Sequence, residues 1–182
     1  MTASIPVIRP STPADLAAIA AVYAPHVAGG TATFETEAPD ASEMGRRRDD
    51  VLARGWPWLV AEEDGRVLGY AYANVFRARA AYRWCLEDSI YLAGDACGRG
   101  VGRLLLAELL ARCEAGGARQ MMAVIGDSAN AGSIGVHRAL GFAMTGTMRS
   151  VGWKLGRWID VVLMQKSLGP ADMAPPEAPA AE

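Results

Sequence analysis

The chain has 182 residues, 51% of them hydrophobic and 21% charged, with a formal net charge of −2. That length supports one domain whose core needs neither disulfides nor structural metal, and the balance of apolar and charged residues excludes global disorder and a basic field for nucleic acid. The three cysteines, Cys85, Cys97 and Cys113, are odd in number and form no C-x-x-C pair, so no metal site is expected and a reducing, cytoplasmic location is. The opening MTASIPVIRP lacks the charged-then-apolar order of an export signal, and no stretch approaches the roughly 18 apolar residues of a membrane span.

In chain order, IPVIRP predicts a short strand. Thr12, Pro13 and Asp15 supply a cap, a first-turn proline and a first-turn acid, predicting a helix from about Pro13 to His26 stopped by Gly29-Gly30. TATFE predicts a short extended piece ending in the turn EAPD. ASEMGRRRDDVLARG is polar with apolar points at Met44, Val51 and Leu52, a solvent-facing helix with Gly55 past its end. WPWLVAEEDGRVLGYAYANVF reads as a hairpin turning at Asp64-Gly65. A strand from Arg83 to Leu92 follows, then the glycine-rich GDACGRGVG, then an apolar helix through Cys113 that stops at Gly116-Gly117. RQMMAVIG predicts a buried strand, DSANAGSIGVHRALGF a capped helix ended by Gly141, and FAMTGTMRSVGWKLGRWIDVVLMQKSL two further strands. The expected class is α+β (mixed α/β, three-layer), one domain over residues 1–169, with a disordered Pro/Ala-rich tail over residues 170–182.

The glycine loop joins a strand to a helix, so small residues let a ligand approach the backbone while the first helical N–H groups point at it. That arrangement suits a phosphate or pyrophosphate, although the same glycines also make a tight turn. Gly98, Gly100 and Gly102 give G-x-G-x-G, which misses the dinucleotide fingerprint, and Arg103 stands where a nucleotide P-loop needs Lys-Ser/Thr.

Cys97-Gly98-Arg99-Gly100-Val101-Gly102, followed by NAGSIGVHRALGF, resembles the GNAT acyltransferase family, whose signature is Arg/Gln-x-x-Gly-x-Gly/Ala and an Asn-led helix ending in Leu-Gly-Phe. The segments YAPHVAGGTATFETEAP, RARAAYRW, EDSIYLA and VGWKLGRWIDVVLMQ are similar to the phosphinothricin and methionine sulfoximine N-acetyltransferase branch. The resemblance spans about residues 5–168 and implies a central mixed sheet flanked by helices. It implies acetyl-CoA as co-substrate, its pyrophosphate held by Cys97 through Arg103, its pantetheine arm by backbone groups of Ile90, Tyr91 and Leu92, and further contacts from Asn130 and Ser133. Cys97 departs from the family's Arg or Gln, which predicts weakened cofactor binding.

Acetyl transfer from a thioester to an amine needs a base for the ammonium proton and an acid for the departing thiolate. Strand alternation puts Glu87 and Asp88 on opposite faces, so only one is expected in the cleft. The resemblance selects Glu87 as base and leaves Asp88 structural. Asn130, Ser133 and His137 share one helix face, and the resemblance makes His137 the group that donates or relays a proton to the thiolate. His26 has no such context and is expected to be structural or capping. Guanidinium forks match carboxylate and phosphinate geometry, and the resemblance makes Arg77, Arg79 and Tyr82, with Phe34 and Glu35, the binding residues for a small amino acid carrying tetrahedral phosphorus or sulfur. It also implies a homodimer. A non-catalytic acyl-CoA-binding domain on the same scaffold, or another small amine or a peptide amino terminus as acceptor, are the alternatives.

Overall fold

A computed structural model describes residues 5–176. Its strands are β1 (Val7–Pro10), β2 (Trp58–Glu63), β3 (Arg66–Val75), β4 (Cys85–Leu92), β5 (Gln120–Gly126), β6 (Ala143–Lys154) and β7 (Arg157–Ser167), and its helices are α1 (Leu16–Gly29), α2 (Ala41–Ala53), α3 (Val101–Ala115) and α4 (Ala131–Ala139). The strands form one sheet in the order β1-β2-β3-β4-β5-β7-β6. Asp64 and Gly65 both take positive φ (51° and 78°) at the β2–β3 turn, as a two-residue primed hairpin turn requires, and Leu155 and Gly156 (53° and 72°) do the same between β6 and β7.

Neighbouring strands run antiparallel except β4 and β5, which are parallel because α3 crosses over between them. Their ladder runs only from Cys85↔Gln120 to Asp88↔Ala123. Beyond it β4 stays paired with β3 through Leu92, and β5 with β7 through Gly126. The sheet is therefore continuous on both flanks and opens as a wedge in the middle. One apolar cluster packs Leu86, Met121 and Ala123 against Leu105, Leu106 and Leu109 of α3. A second, on the opposite face, packs Ile19, Val22, Met44 and Val51 of α1 and α2 against Trp58 and Tyr70.

Four local expectations are corrected. Pro13–Asp15 is a separate 3-10 turn, and α1 runs a turn beyond His26 to Gly29, where the Gly30 N–H donates to the His26 carbonyl. TATFE pairs with no strand; it is a loop. The strand expected from Arg83 starts at Cys85, because Ala80–Tyr82 form a 3-10 turn just before it. Residues 170–172 form a turn and 173–174 a bend, with Ala171 N–H donating to the Leu168 carbonyl and an Arg119 N–H to that of Pro175. The remainder of the expected tail, 177–182, and residues 1–4 of the opening segment lie outside the described residues.

Candidate active site

Alternation along β4 sends Tyr91 to the cluster under α1 and α2 and Leu86 to the cluster under α3, with Glu87 and Asp88 following the same rule onto opposite faces. A cavity of about 540 Å³ fills the wedge between β4 and β5. Because the strands have parted, it reaches both faces of the sheet, and Glu87 and Asp88 both line it. The expectation that only one of them can face the cleft fails for that reason. Ser89, Ile90, Tyr91 and Leu92 line it too, with Asn130, Ser133 and His137 from α4 and Ala32, Thr33 and Phe34 from the loop after α1.

Glu87 is partly buried, and burial pushes its carboxyl up to about 7; the Asp88 charge adds to the rise and Arg77 opposes it. A carboxyl that titrates near neutrality at the mouth of a cavity is suited to take a proton and release it again.

His137 and Asp88 are each 2% exposed at the side chain, and His137 Nε2 lies 2.9 Å from Asp88 Oδ2. The other ring nitrogen, Nδ1, lies 2.7 Å from the Ser133 carbonyl and 3.4 Å from its hydroxyl. Burial disfavours the charged ring, but the Asp88 hydrogen bond and charge and the Ser133 carbonyl outweigh it, so the pKa of His137 is raised. Both nitrogens are engaged, so no N–H of His137 is free to meet a thiolate directly, and of the two expected roles, donation or relay, this geometry favours relay. Asp88, expected to be merely structural, is its partner across 49 residues of sequence.

Loop 31–35 is held from four sides. Tyr23 Oη lies 2.6 Å from Thr33 Oγ1 and donates to Glu35, Arg47 of α2 donates to both Glu35 oxygens, Lys154 Nζ donates to the Thr33 and His26 carbonyls, and Thr31 donates to Asp127. The Glu35 carboxylate is thus occupied inside the protein and does not line the cavity, unlike its expected place against the acceptor. Phe34, 40% exposed, does line the cavity. A Cβ added at Gly152 of β6 would fall far inside van der Waals contact with three of its ring atoms, so the absence of a side chain there admits the ring.

Arg77, Arg79 and Tyr82 are exposed on the connection before β4, outside the cavity lining. Arg77 lies 4.6 Å from the Phe76 ring centroid and acts on Glu87 through its charge; Arg79 and Tyr82 are not brought to the cavity wall.

At the glycine loop, Gly98 and Gly100 take positive φ (75° and 82°), and Gly100 caps α3. Cys97, Gly98 and Gly102 line the cavity. The Val101 side chain is core, and Arg99 is drawn away to Glu63 at 2.7 Å. These two can serve an anion only through the backbone and through long-range charge, respectively, and Arg103, like Arg99, does not line the cavity. His26, expected to be structural or capping, ties α1 to the end of β4: its Nε2 lies 2.8 Å from the Leu92 carbonyl. Lys154, Tyr23 and Arg47 carry no sequence signal of their own, because each acts by anchoring a loop distant in sequence.

Residues 8–163 match the family model for an acetyltransferase (GNAT) domain. The chain is 56% identical over 163 residues to the phosphinothricin N-acetyltransferase of Alcaligenes faecalis, covering 90% of this chain and 83% of that one. It is 40% identical to the L-methionine sulfoximine/L-methionine sulfone acetyltransferase of Pseudomonas aeruginosa, covering 92% and 98%. Among solved structures, it resembles a phosphinothricin acetyltransferase of Sinorhizobium meliloti in complex with AcCoA, with a TM-score of 0.92, 44% identity and coverage of 96% and 94%.

Proposed function

This chain belongs to the GNAT acetyltransferase family, and on that premise we propose that it moves the acetyl group of acetyl-CoA onto the α-amino group of a small amino acid analogue such as phosphinothricin or methionine sulfoximine or sulfone. Transfer is direct, within a ternary complex. The observation that carries this reading is Glu87: a carboxyl pushed up to about 7, in a cavity that both a thioester arm and an amine can enter.

Acetyl-CoA supplies an acyl carbon activated by a good leaving thiol. The N–H groups that open α3 and the loop from Cys97 to Arg103 would meet its pyrophosphate, with Gly98 and Gly100 letting the backbone come close. Where the β4–β5 ladder ends, backbone groups of Ile90, Tyr91 and Leu92 on the edge toward β5 have no strand partner and would hold the amide-bearing arm. Asn130 is engaged in capping α4, its Oδ1 accepting from the Ser133 N–H at 3.1 Å, so its part is to shape the helix start. Glu87 takes the proton that keeps the amine from being a nucleophile. Phe34 supplies an apolar wall, and Arg77 is the cation placed to attract an acceptor's carboxylate or phosphinate; its neighbour Arg79 serves only at longer range.

We assign the chain to the cytoplasm as a homodimer. Among the described residues no helix is long and apolar enough to cross a membrane. Edge strand β6 exposes Met144, Met148, Val151 and Trp153, beside Trp158 of β7, and such a patch is suited to a second copy. The specificity is tested by comparing kcat/KM for phosphinothricin, methionine sulfoximine, methionine sulfone and ordinary amino acids. A clear preference for the tetrahedral side chains is expected. Comparable values on all of them defeat it.

A further inference from the structure

We infer that Asp88, His137 and Ser133 form a proton relay from the closed side of the cavity to the departing thiolate, with Asp88 the positioning residue that keeps the extra proton on the His137 ring and the Ser133 hydroxyl the group that delivers it. The inference rests on the reading of the cavity as the thioester site. Its geometry begins with the acceptors around His137. Nδ1 faces the Ser133 carbonyl at 2.7 Å and Nε2 faces the Asp88 carboxyl at 2.9 Å. A neutral imidazole has one N–H and cannot donate both ways. The pair therefore stores one more proton than a neutral ring beside a carboxylate would, inside a pocket where both side chains are 2% exposed.

The stored proton has an outlet at Ser133. Ser133 Oγ lies 3.4 Å from Nδ1 and lines the cavity, one turn before His137 on the same face of α4. Delivery breaks the Ser133 O–H bond and forms the thiol S–H bond, while Nδ1–H breaks and the Ser133 O–H bond is restored. His137 ends neutral, with Nε2–H donating to the Asp88 carboxylate, and regains a proton from solvent before the next turnover. The step removes the thiolate's charge and leaves the Asp88 carboxylate hydrogen-bonded to a neutral ring, so the buried pair carries one negative charge until the ring takes up a proton again, and its burial favours that uptake.

The other groups packed around the pair do not supply an alternative outlet. Cys113 of α3 has its thiol pushed up to about 12 by burial and then by the Asp88 charge. Phe142 sets its ring edge-to-face on His137 with centroids 4.9 Å apart. Glu87 leaves β4 on the other face, beside Arg77, Tyr72 and Cys85. Asp88 Oδ1 is buried without a partner, so all of its hydrogen bonding in the structure is directed through Oδ2 to His137.

The test has one arm that needs no turnover. The chain has two histidines, so 15N NMR of the unliganded protein, assigned with His137→Gln, reads the His137 ring directly. At pH 7 both nitrogens should carry a proton, and in Asp88→Asn, which keeps the size and removes the charge, the ring should carry one. The second arm compares acetyl-CoA with an acetyl thioester of a more acidic thiol. Ser133→Ala and Asp88→Asn should each lower kcat on acetyl-CoA by roughly 10–10²-fold, with a smaller loss on the acidic thioester, and Asp88→Asn should leave the acetyl-CoA dissociation constant unchanged. A singly protonated His137 in the unsubstituted protein at pH 7 overturns the relay whichever acceptor the enzyme prefers. Equal losses on the two thioesters overturn it as well. Failure of the acceptor panel alone would remove the proposed substrate and leave both of these readouts standing.

Discussion

Replacing Glu87 by Gln keeps the side chain's shape and its capacity for hydrogen bonding while removing the ionisable group, and it should move activity and stability in opposite directions. With a carboxyl near 7, the enzyme's kcat/KM should fall as pH drops through about 7, because the ionised form is the base. In Glu87→Gln it should be lower by roughly 10²–10⁴ near neutral pH, the range for loss of a general base, with the deficit shrinking at high pH where free amine forms unaided. The stability effect has the other sign. A carboxyl raised in the folded state leaves the native chain holding more protons than the unfolded one between its ordinary 4.5 and about 7, so stability present at low pH is lost as pH rises through about 7. At about 1.4 kcal/mol for each pKa unit the full rise would cost roughly 3 kcal/mol, and partial solvent contact lowers this to about 1–2 kcal/mol. Glu87→Gln should thus be more stable than the parent by about 1–2 kcal/mol at pH 8 and no more stable at pH 4, as read by chemical denaturation. Near-normal kcat/KM at every pH, on folded protein that binds acetyl-CoA, would refute the base assignment, and an identical stability difference at both pH values would refute the buried carboxylate.

Three further substitutions test neighbouring parts of the site. Arg77→Gln removes the charge that opposes the rise of Glu87, so the acidic limb of kcat/KM should move to higher pH; no movement, or a downward one, separates Arg77 from Glu87. Gly152→Ala should push the Phe34 ring from its place, raising the KM of the acceptor several-fold with little effect on acetyl-CoA affinity; losses equal for both substrates would take Phe34 out of the acceptor pocket. Gly100→Ala puts a side chain at φ 82°, which should destabilise by about 1 kcal/mol and weaken acetyl-CoA binding measured by calorimetry; unchanged affinity would reduce the loop to a turn.

The order of elements was legible because each has a local cause. Asp64-Gly65 can make its primed turn in any context, the Gly116-Gly117 stop needs only the helix before it, and the apolar run of RQMMAVIG is that of a central strand, one face buried and the other half-buried. The failures are equally specific. TATFE has the composition of a strand, yet Tyr23, Arg47, Lys154 and Asp127 hold it as a loop through side chains from four separate elements. The extension of α1 beyond His26 to Gly29 was hidden for a related reason: tertiary ties at His26 and Lys154 hold the last turn. Glu35 and Arg47 could not be matched from the sequence either, since an ion pair between a loop and a helix face follows no spacing rule.

Within the site, strand alternation is sound for β4 and still gave an incomplete expectation, because it says which face a side chain takes and not whether a cavity reaches one face or two. That depends on where the β4–β5 ladder stops. Had it continued past Asp88↔Ala123, the sheet would separate Glu87 from Asp88 and His137, and a thioester arm lying on either face would meet only one of the two groups that handle protons. Because it stops there, Glu87 and Asp88 both line one cavity although they leave β4 on opposite faces. The proposed base and the proposed relay can then act on one bound thioester from opposite sides, while Asp88, not Glu87, stays the partner of His137 at 2.9 Å. The early end of the ladder is therefore what lets a carboxyl pushed up to about 7 and the Asp88–His137 pair share one cavity while keeping separate partners.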